Sequence, residues 1–119
     1  MALTATAQTK FGYVSYKDIV ESLPEYAIVN AHIDELQAKY EAEIARSERE
    51  FNQKYSDFIE EQASFPENIR IKRHKELQEL MERSIAFKDE VNRAMREARR
   101  EMMKPLYDKI DEAVMKICT

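Results

Sequence analysis

Few residues in this sequence are of the types that perform catalysis or hold a metal ion. The two histidines, His32 and His74, lie in different halves of the chain, and neither has a cysteine or an acidic group at metal-ligand spacing. The one cysteine, Cys118, has no base or phosphate-binding loop beside it, and such a residue is more often a small buried apolar group. Glycine-rich loops, nucleophile motifs and paired carboxylates are also missing from the sequence. We therefore predict that the protein is not an enzyme and holds no metal ion or cofactor.

A basic cluster follows a break in the middle of the chain, at Ser64–Asn68, and is the first candidate for a binding site. Its members are Arg70, Lys72, Arg73, His74 and Lys75. Cations near the start of a helix oppose the helix dipole, which favours a functional reason for them. Phe65, Ile69 and Ile71 add apolar groups beside the cluster. Such a site could contact anionic lipid headgroups or an acidic partner, and the alternative is an ordinary loop beside a charged helical turn.

The composition favours long, solvated helices over a compact globule. Charged residues make up 35 % of the 119 residues and apolar residues 44 %, with a single glycine. A net charge of −4 excludes a uniformly basic nucleic-acid-binding protein, and no apolar run approaches the length of a transmembrane helix. Because a long helix of this kind buries only one stripe, the chain is expected to need partner copies to complete its core.

Two long helices are the elements that would position the basic cluster. Residues 25–104 contain almost no glycine or proline apart from the break at 64–68. The segments Ser22–Glu25 and Ser64–Glu67 share a serine, an apolar residue, a proline and a glutamate. In this pattern the serine caps a new helix and the proline fits its first turn. The sequence therefore predicts an antiparallel helical hairpin over 25–104 whose tip lies near 64–68.

Apolar stripes run along both predicted arms. The first has an eleven-residue repeat, which favours a nearly straight helix over a left-handed supercoil. Its members are Val29, Ile33, Leu36, Tyr40, Ile44, Ser47, Phe51, Tyr55, Phe58 and Gln62. The second consists of Leu77, Leu80, Ser84, Phe87, Val91, Met95, Ala98 and Met102. Residues 25–65 have a net charge of −6 and residues 66–104 a net charge of +3, which favours pairing of the arms, although each exposed ion pair contributes little.

The soft side chains of the arms are expected to lie mainly in the core of the hairpin. They are Met81, Met95, Met102, Met103, Phe51, Phe58 and Phe87. Any that face away from the seam would form a surface suited to varied apolar partners.

The residues before the hairpin are expected to form part of its base. Residues 10–24 would supply a short strand, Lys10–Ser15, and a short helix that Pro24 ends. A lone strand leaves backbone groups unpaired, so it would pair with another protomer or with a segment outside this sequence. Residues 1–9 form a tail in which Ala5-Thr6-Ala7 fits the small-residue pattern of a signal-peptide cleavage site.

The residues after the hairpin are expected to return to the base. Pro105 predicts a kink or a break, followed by a short helix within 105–119. An apolar pattern resumes there with Leu106 and Ile110.

The order of these elements, with the segments Lys10–Ser15 and Ile19–Ala27, resembles the Skp/OmpH family of periplasmic chaperones. The resemblance spans the chain from Lys10 and is moderately specific in those two segments, whereas the charged arms alone are generic coiled coil. It implies a mainly α fold with a small β element, in which the hairpin projects as a coiled-coil tentacle from a strand-and-helix base. It also implies a homotrimer whose tentacles enclose a cavity. Family members carry a further body strand beyond the last helix, so with Thr119 as the last residue the body is expected to be truncated.

The resemblance implies an ATP-independent periplasmic holdase that binds unfolded outer-membrane proteins. It also favours a signal-peptide remnant for residues 1–9 over the alternative, a disordered tail. The expected trimer-interface residues are Phe11, Tyr13, Val14, Ile19, Val20, Leu106, Ile110 and Val114. The expected client contacts at the tip are Phe65, Ile69, Arg70, Ile71 and Arg73. The basic tip would also contact anionic lipid weakly, and nucleic acid is not an expected partner. Two alternatives stay open, a structural coiled-coil hairpin that docks one specific partner and a prefoldin-like cytosolic chaperone.

Overall fold

Helices make up nearly all of the chain that the structure describes. The computed structural model describes the backbone of residues 16–118 and the side chains of residues 16–116. Its elements are α1 (residues 16–22), α2 (Pro24–Glu61), a 3-10 helix (Gln62–Ser64) and α3 (Glu67–Cys118). The prediction of a mainly helical chain is therefore confirmed. No strand occurs within residues 16–118, and the predicted strand Lys10–Ser15 lies outside the described residues.

The serines of the repeated pattern close the preceding helix instead of capping the next one. Ser22 Oγ donates a hydrogen bond to the carbonyl of Ile19 at 2.9 Å, and Ser64 Oγ donates to the carbonyl of Glu61 at 2.7 Å. In a continuing α-helix, each of these carbonyls would accept a hydrogen bond from the backbone N–H four residues later. Here that N–H bonds to a different carbonyl in both cases. The serine hydroxyl replaces that N–H as the donor to the carbonyl, because the residue before proline is pushed out of helical geometry. The predicted serine caps are therefore wrong, although the pattern does mark where α2 and α3 begin.

Pro105 does not interrupt the last helix. It lies inside α3, which continues for 52 residues, so the predicted break with a separate short helix is wrong. A proline in a helix interior costs about 3 kcal/mol because its N–H is missing and its ring crowds the preceding turn. Leu106 and Ile110, which are one and five residues after Pro105, are only 4 % and 3 % exposed. Burial of two such side chains contributes about 1.5–3 kcal/mol each, which is enough to offset the proline.

The described residues up to Glu35 and those from Arg96 onward form one compact unit, called here the base unit. Its core consists of apolar side chains that are at most 9 % exposed: Val20, Val29, Ile33, Met103, Leu106 and Ile110. They come from all three helices, at spacings of three or four residues within α2 and α3, as expected for helices that bury one face. Val20 is the contribution of α1, so the short first helix is part of this core.

Residues 36–95 form a second compact unit, called here the hairpin unit, in which α2 and α3 run antiparallel. The Tyr40 ring meets the Phe87 ring edge-on, with centroids 6.4 Å apart. Further along α2, the Phe58 ring lies 6.2 Å from that of His74, which is earlier on α3. Rising numbers on one helix thus pair with falling numbers on the other, which confirms the predicted antiparallel pairing of helices for this unit.

The core of the hairpin unit is thin. Only Leu77 and Val91 are buried, at 8 % exposed each, and most other members of the two predicted stripes are half-buried. Tyr55 is the exception in the first stripe, since half of it is exposed. Two helices packed side by side bury one stripe each, so the rest of each helix surface stays available for contact.

Candidate functional site

The turn between α2 and α3 directs Phe65 back against the hairpin unit. Its N–H bonds to the carbonyl of Gln62 at 3.3 Å, and its backbone is extended, with φ −78° and ψ 140°. This is the conformation that a following proline imposes. The Phe65 side chain is half-buried and lines a groove together with Phe58 and Leu77.

That groove has an apolar floor and charged rims, and we call it the charged groove. It has a volume of about 710 Å³ and is lined by Glu50, Lys54, Asp57, Phe58, Glu61, Phe65, Arg73, Glu76, Leu77, Leu80 and Arg83. Several of its charges already have partners. Lys54 pairs with Glu50 at 3.2 Å, Arg73 pairs with Glu76 at 3.7 Å, and Asp57 accepts a hydrogen bond at 3.0 Å. A ligand in this groove would therefore meet an ordered, charged rim.

The structure separates the five predicted tip contacts into different surfaces. Phe65 and Arg73 line the charged groove, whereas Ile69, Arg70 and Ile71 do not. Ile69 and Ile71 are 39 % and 60 % exposed. Because they are two residues apart on α3, they point to different sides of the helix. The predicted contacts therefore do not form one patch.

A second surface of the hairpin unit carries apolar and amide side chains without charge. We call it the uncharged strip, and its members are Asn52, Tyr55, Ile59, Gln78, Met81 and Ile85. Asn52, Met81 and Ile85 line one shallow groove of about 320 Å³ together with Phe51. The Tyr55 ring stacks on the Phe51 ring, with centroids 6.0 Å apart and planes inclined by 15°.

The strip extends along both helices and ends at an ion pair. Ile59 follows Tyr55 by one helical turn, and Gln78 precedes Met81 by one turn, so both lie on the same side as their neighbours. Lys88 Nζ lies 3.1 Å from Glu48 Oε1, and both residues line the same shallow groove. The two charges at this end of the strip therefore neutralise each other.

Sequence reasoning missed the strip as a surface. Tyr55 belongs to the apolar stripe predicted for the first arm, and Ile59 and Ile85 belong to no predicted site. Met81 belongs to the soft side chains expected mainly in the core, but it is 48 % exposed, whereas Met103 is buried at 5 % exposed. The available signal was the run of uncharged residues at helical spacing in a chain with 35 % charged residues.

The base unit contains an ion pair between residues far apart in the sequence. Lys109 Nζ donates a hydrogen bond to Glu25 Oε1 at 2.8 Å, across 84 residues of chain. This hydrogen bond is the main cause that lowers the pKa of Glu25 below its ordinary value. The other carboxylate oxygen, Oε2, is buried and has no hydrogen-bond partner among the described residues.

The base unit also contains an aromatic pair, which joins α1 to α3. The rings of Tyr16 and Tyr107 stack with centroids 6.3 Å apart and planes inclined by 11°. Loss of hydration raises the pKa of Tyr16, and the Asp111 carboxylate raises it further. Stacking of Tyr16 on Tyr107 connects α1 to α3 outside the apolar core.

The described residues do not contain the elements of a metal site or a membrane span. Within the described chain, no three histidine, cysteine, aspartate or glutamate residues lie close enough to hold a metal ion together. His32 is exposed, and His74 contacts the Phe58 ring. None of the described helices combines the length and apolar character that crossing a membrane requires. The side chain of Cys118 lies outside the described residues.

Comparison with known proteins identifies a family. The family model described as outer membrane protein (OmpH-like) matches residues 10–119. No curated protein and no solved structure matches the chain. The matched range contains both helices of the hairpin unit and all described elements of the base unit.

Proposed function

The chain belongs to the OmpH-like outer membrane protein family, and we propose that it acts as a periplasmic chaperone that holds unfolded outer-membrane proteins without ATP. This is the Skp/OmpH family that the sequence resembles, whose members are chaperones and not enzymes. The observation that carries the proposal is the extent of the family match, from residue 10 to residue 119.

The hairpin unit has the surface that a holdase needs. Several large apolar side chains are between 39 % and 60 % exposed: Tyr55, Ile59, Ile69, Ile71, Met81 and Ile85. Each gives a weak contact, but several contacts to one chain raise the effective concentration and give useful avidity. Such binding needs no nucleotide, because clients can leave by losing contacts one at a time.

The proposed homotrimer would form through the base unit. Val20, Leu106 and Ile110 are already buried within the single chain, so they would stabilise the base unit whose surface forms the interface. Ile19 and Val114 are 43 % and 44 % exposed and would make direct contacts. The other interface residues named from the sequence, Phe11, Tyr13 and Val14, lie outside the described residues and stay predictions.

Suppression of aggregation tests the chaperone proposal. An outer-membrane β-barrel protein is diluted from urea into buffer without ATP, and light scattering is recorded with and without the protein. We expect scattering to fall as the chaperone approaches the amount that binds all clients, and added ATP to change nothing. A soluble coiled-coil protein of similar net charge is the control. Equal aggregation with the protein and with this control would contradict the proposal.

A further inference from the structure

We propose that the uncharged strip, and not the charged groove, is the surface of the hairpin unit that takes up client segments, and that it selects extended apolar segments without charged side chains. The inference rests on the chaperone function proposed above. It adds to that function the contact surface and the class of client segment.

The distribution of charge selects the client segment. A charged client side chain placed against Tyr55, Ile59, Met81 and Ile85 would lose hydration, and none of these four side chains offers it a counter-ion, which is unfavourable. Lys88 and Glu48, which line the shallow groove at one end of the strip, are 3.1 Å apart and already neutralise each other. An apolar segment has no such penalty on the strip. In the charged groove, by contrast, it would partly desolvate the rim charges, which weakens binding.

The side chains of the strip fit a polypeptide in particular. Tyr55, Ile59, Met81 and Ile85 are between 48 % and 57 % exposed and can cover apolar client side chains. Asn52 and Gln78 have amide groups that both donate and accept hydrogen bonds, as the backbone of an extended segment requires. An anionic lipid would instead need cations, and the strip has none of its own. These features favour an unfolded protein over a lipid surface.

The size of the strip favours weak client contact over self-association. A stable protein interface covers about 800 Å² and about 20–30 residues on each partner. The strip has six residues, of which four are large and apolar. A contact of this size is weak when it is made once, and it becomes effective when several hairpins hold the same client.

Two variants with four substitutions each test the assignment. The strip variant is Tyr55→Gln, Ile59→Gln, Met81→Gln and Ile85→Gln. The matched groove variant is Lys54→Gln, Asp57→Asn, Glu76→Gln and Arg83→Gln. All eight side chains are exposed, so both variants should keep the helical circular-dichroism spectrum. Affinity is measured for a denatured outer-membrane β-barrel labelled with a fluorophore, at a urea concentration that keeps it from aggregating. We expect the strip variant to bind at least about tenfold more weakly and the groove variant within about twofold of the unmodified protein.

The outcomes separate this inference from the proposed function. If the unmodified protein does not bind the barrel, the chaperone proposal fails and the inference fails with it. If it binds and the strip variant binds equally well, only the inference is overturned. A strip variant of lower mass in light scattering would also overturn it, because the strip would then serve self-association.

Photo-crosslinking gives an independent test that does not depend on the stability of the variants. A photoreactive amino acid replaces Gln78 on the strip or Gln53, which is exposed on α2 and hydrogen-bonded to Asp57 at 3.0 Å. We expect the client to crosslink at position 78 and at most weakly at position 53. Equal crosslinking at both positions would overturn the inference.

Discussion

Lys109, near the end of α3, donates a 2.8 Å hydrogen bond to Glu25, in the first turn of α2. The contact joins two residues that are 84 positions apart, so it forms only when α2 and α3 have come together in the base unit. A carboxylate at the start of a helix also interacts favourably with the helix dipole. Glu25 thus stabilises α2 through its position and the base unit through its partner.

The first prediction concerns the pH dependence of this ion pair. Because the fold lowers the pKa of Glu25, its contribution to stability is present above the ordinary value of 4.5 and is lost as the pH falls through the lower, folded value. We expect Glu25→Gln to lower Tm at neutral pH. The difference in Tm between the variant and the unmodified protein should shrink toward zero in strong acid, as measured by circular-dichroism melts.

Glu50→Gln is the matched control for this prediction. Glu50 pairs with Lys54 at 3.2 Å within α2, and such exposed pairs contribute about 0.3–0.5 kcal/mol. Its effect on Tm should be small at every pH. A Glu25→Gln effect that stays constant from neutral pH into acid would contradict the assigned role of the Lys109 contact.

The second prediction concerns the core of the base unit. Leu106 is 4 % exposed, and replacing a buried leucine with alanine removes apolar contacts and leaves a cavity. We expect Leu106→Ala to lower the free energy of unfolding by about 2–5 kcal/mol in urea titrations. Ile85→Ala removes a similar number of atoms from a residue that is 57 % exposed, and it should change the free energy by less than about 0.5 kcal/mol. Equal effects of the two substitutions would show that the base unit does not have the core described here.

Much of the fold could be predicted from spacing alone. Val29 and Ile33 recur at helical intervals in the first stripe, and both are buried. Local rules failed where tertiary contacts compete with them. Proline usually ends a helix, but at Pro105 the burial of Leu106 keeps α3 continuous. Ser64 could cap the next helix or close the previous one, and the proline after the turn decides between the two.

The candidate surfaces were harder to predict, because a stripe in the sequence does not show how far around the helix the partner reaches. Tyr55 and Phe58 both fit the apolar repeat of α2. In the structure Phe58 is half-buried beside α3, whereas Tyr55 is 50 % exposed. The two residues are three positions apart, so they differ by about 60° around the axis, and a narrow seam covers only one of them. The seam between two packed helices covers only a narrow band of each helix. The spacing of apolar residues in the sequence does not show how wide that band is.

The third prediction concerns the basic cluster at the start of α3. Reversing the charges of Arg70, Lys72, Arg73 and Lys75 should weaken binding to vesicles with anionic headgroups, because like charges then repel. The effect should be largest at low ionic strength and should fade near physiological salt, where the screening length is about 8 Å. Vesicle flotation at several salt concentrations measures it.

The control for the tip variant reverses the charges of a second set of four cations on α3. Arg93, Arg96, Arg99 and Arg100 are also exposed, so reversing them changes the net charge by the same amount. If both variants lose vesicle binding equally, net charge and not the tip determines it. If neither variant loses binding, the cluster is an ordinary charged turn.

The last prediction concerns assembly through the exposed apolar residues of the base unit. Ile19 and Val114 are 43 % and 44 % exposed, and in the proposed trimer they would lie against a partner. Ile19→Lys and Val114→Lys put a charge at that contact, and a buried charge without a counter-ion is strongly unfavourable. We expect the double variant to have a lower mass than the unmodified protein in multi-angle light scattering. Ile28→Lys is the control, because Ile28 is 56 % exposed and lies outside the predicted interface. The interface would have to be assigned to other residues if the double variant kept the mass of the unmodified protein, or if Ile28→Lys reduced the mass to the same extent.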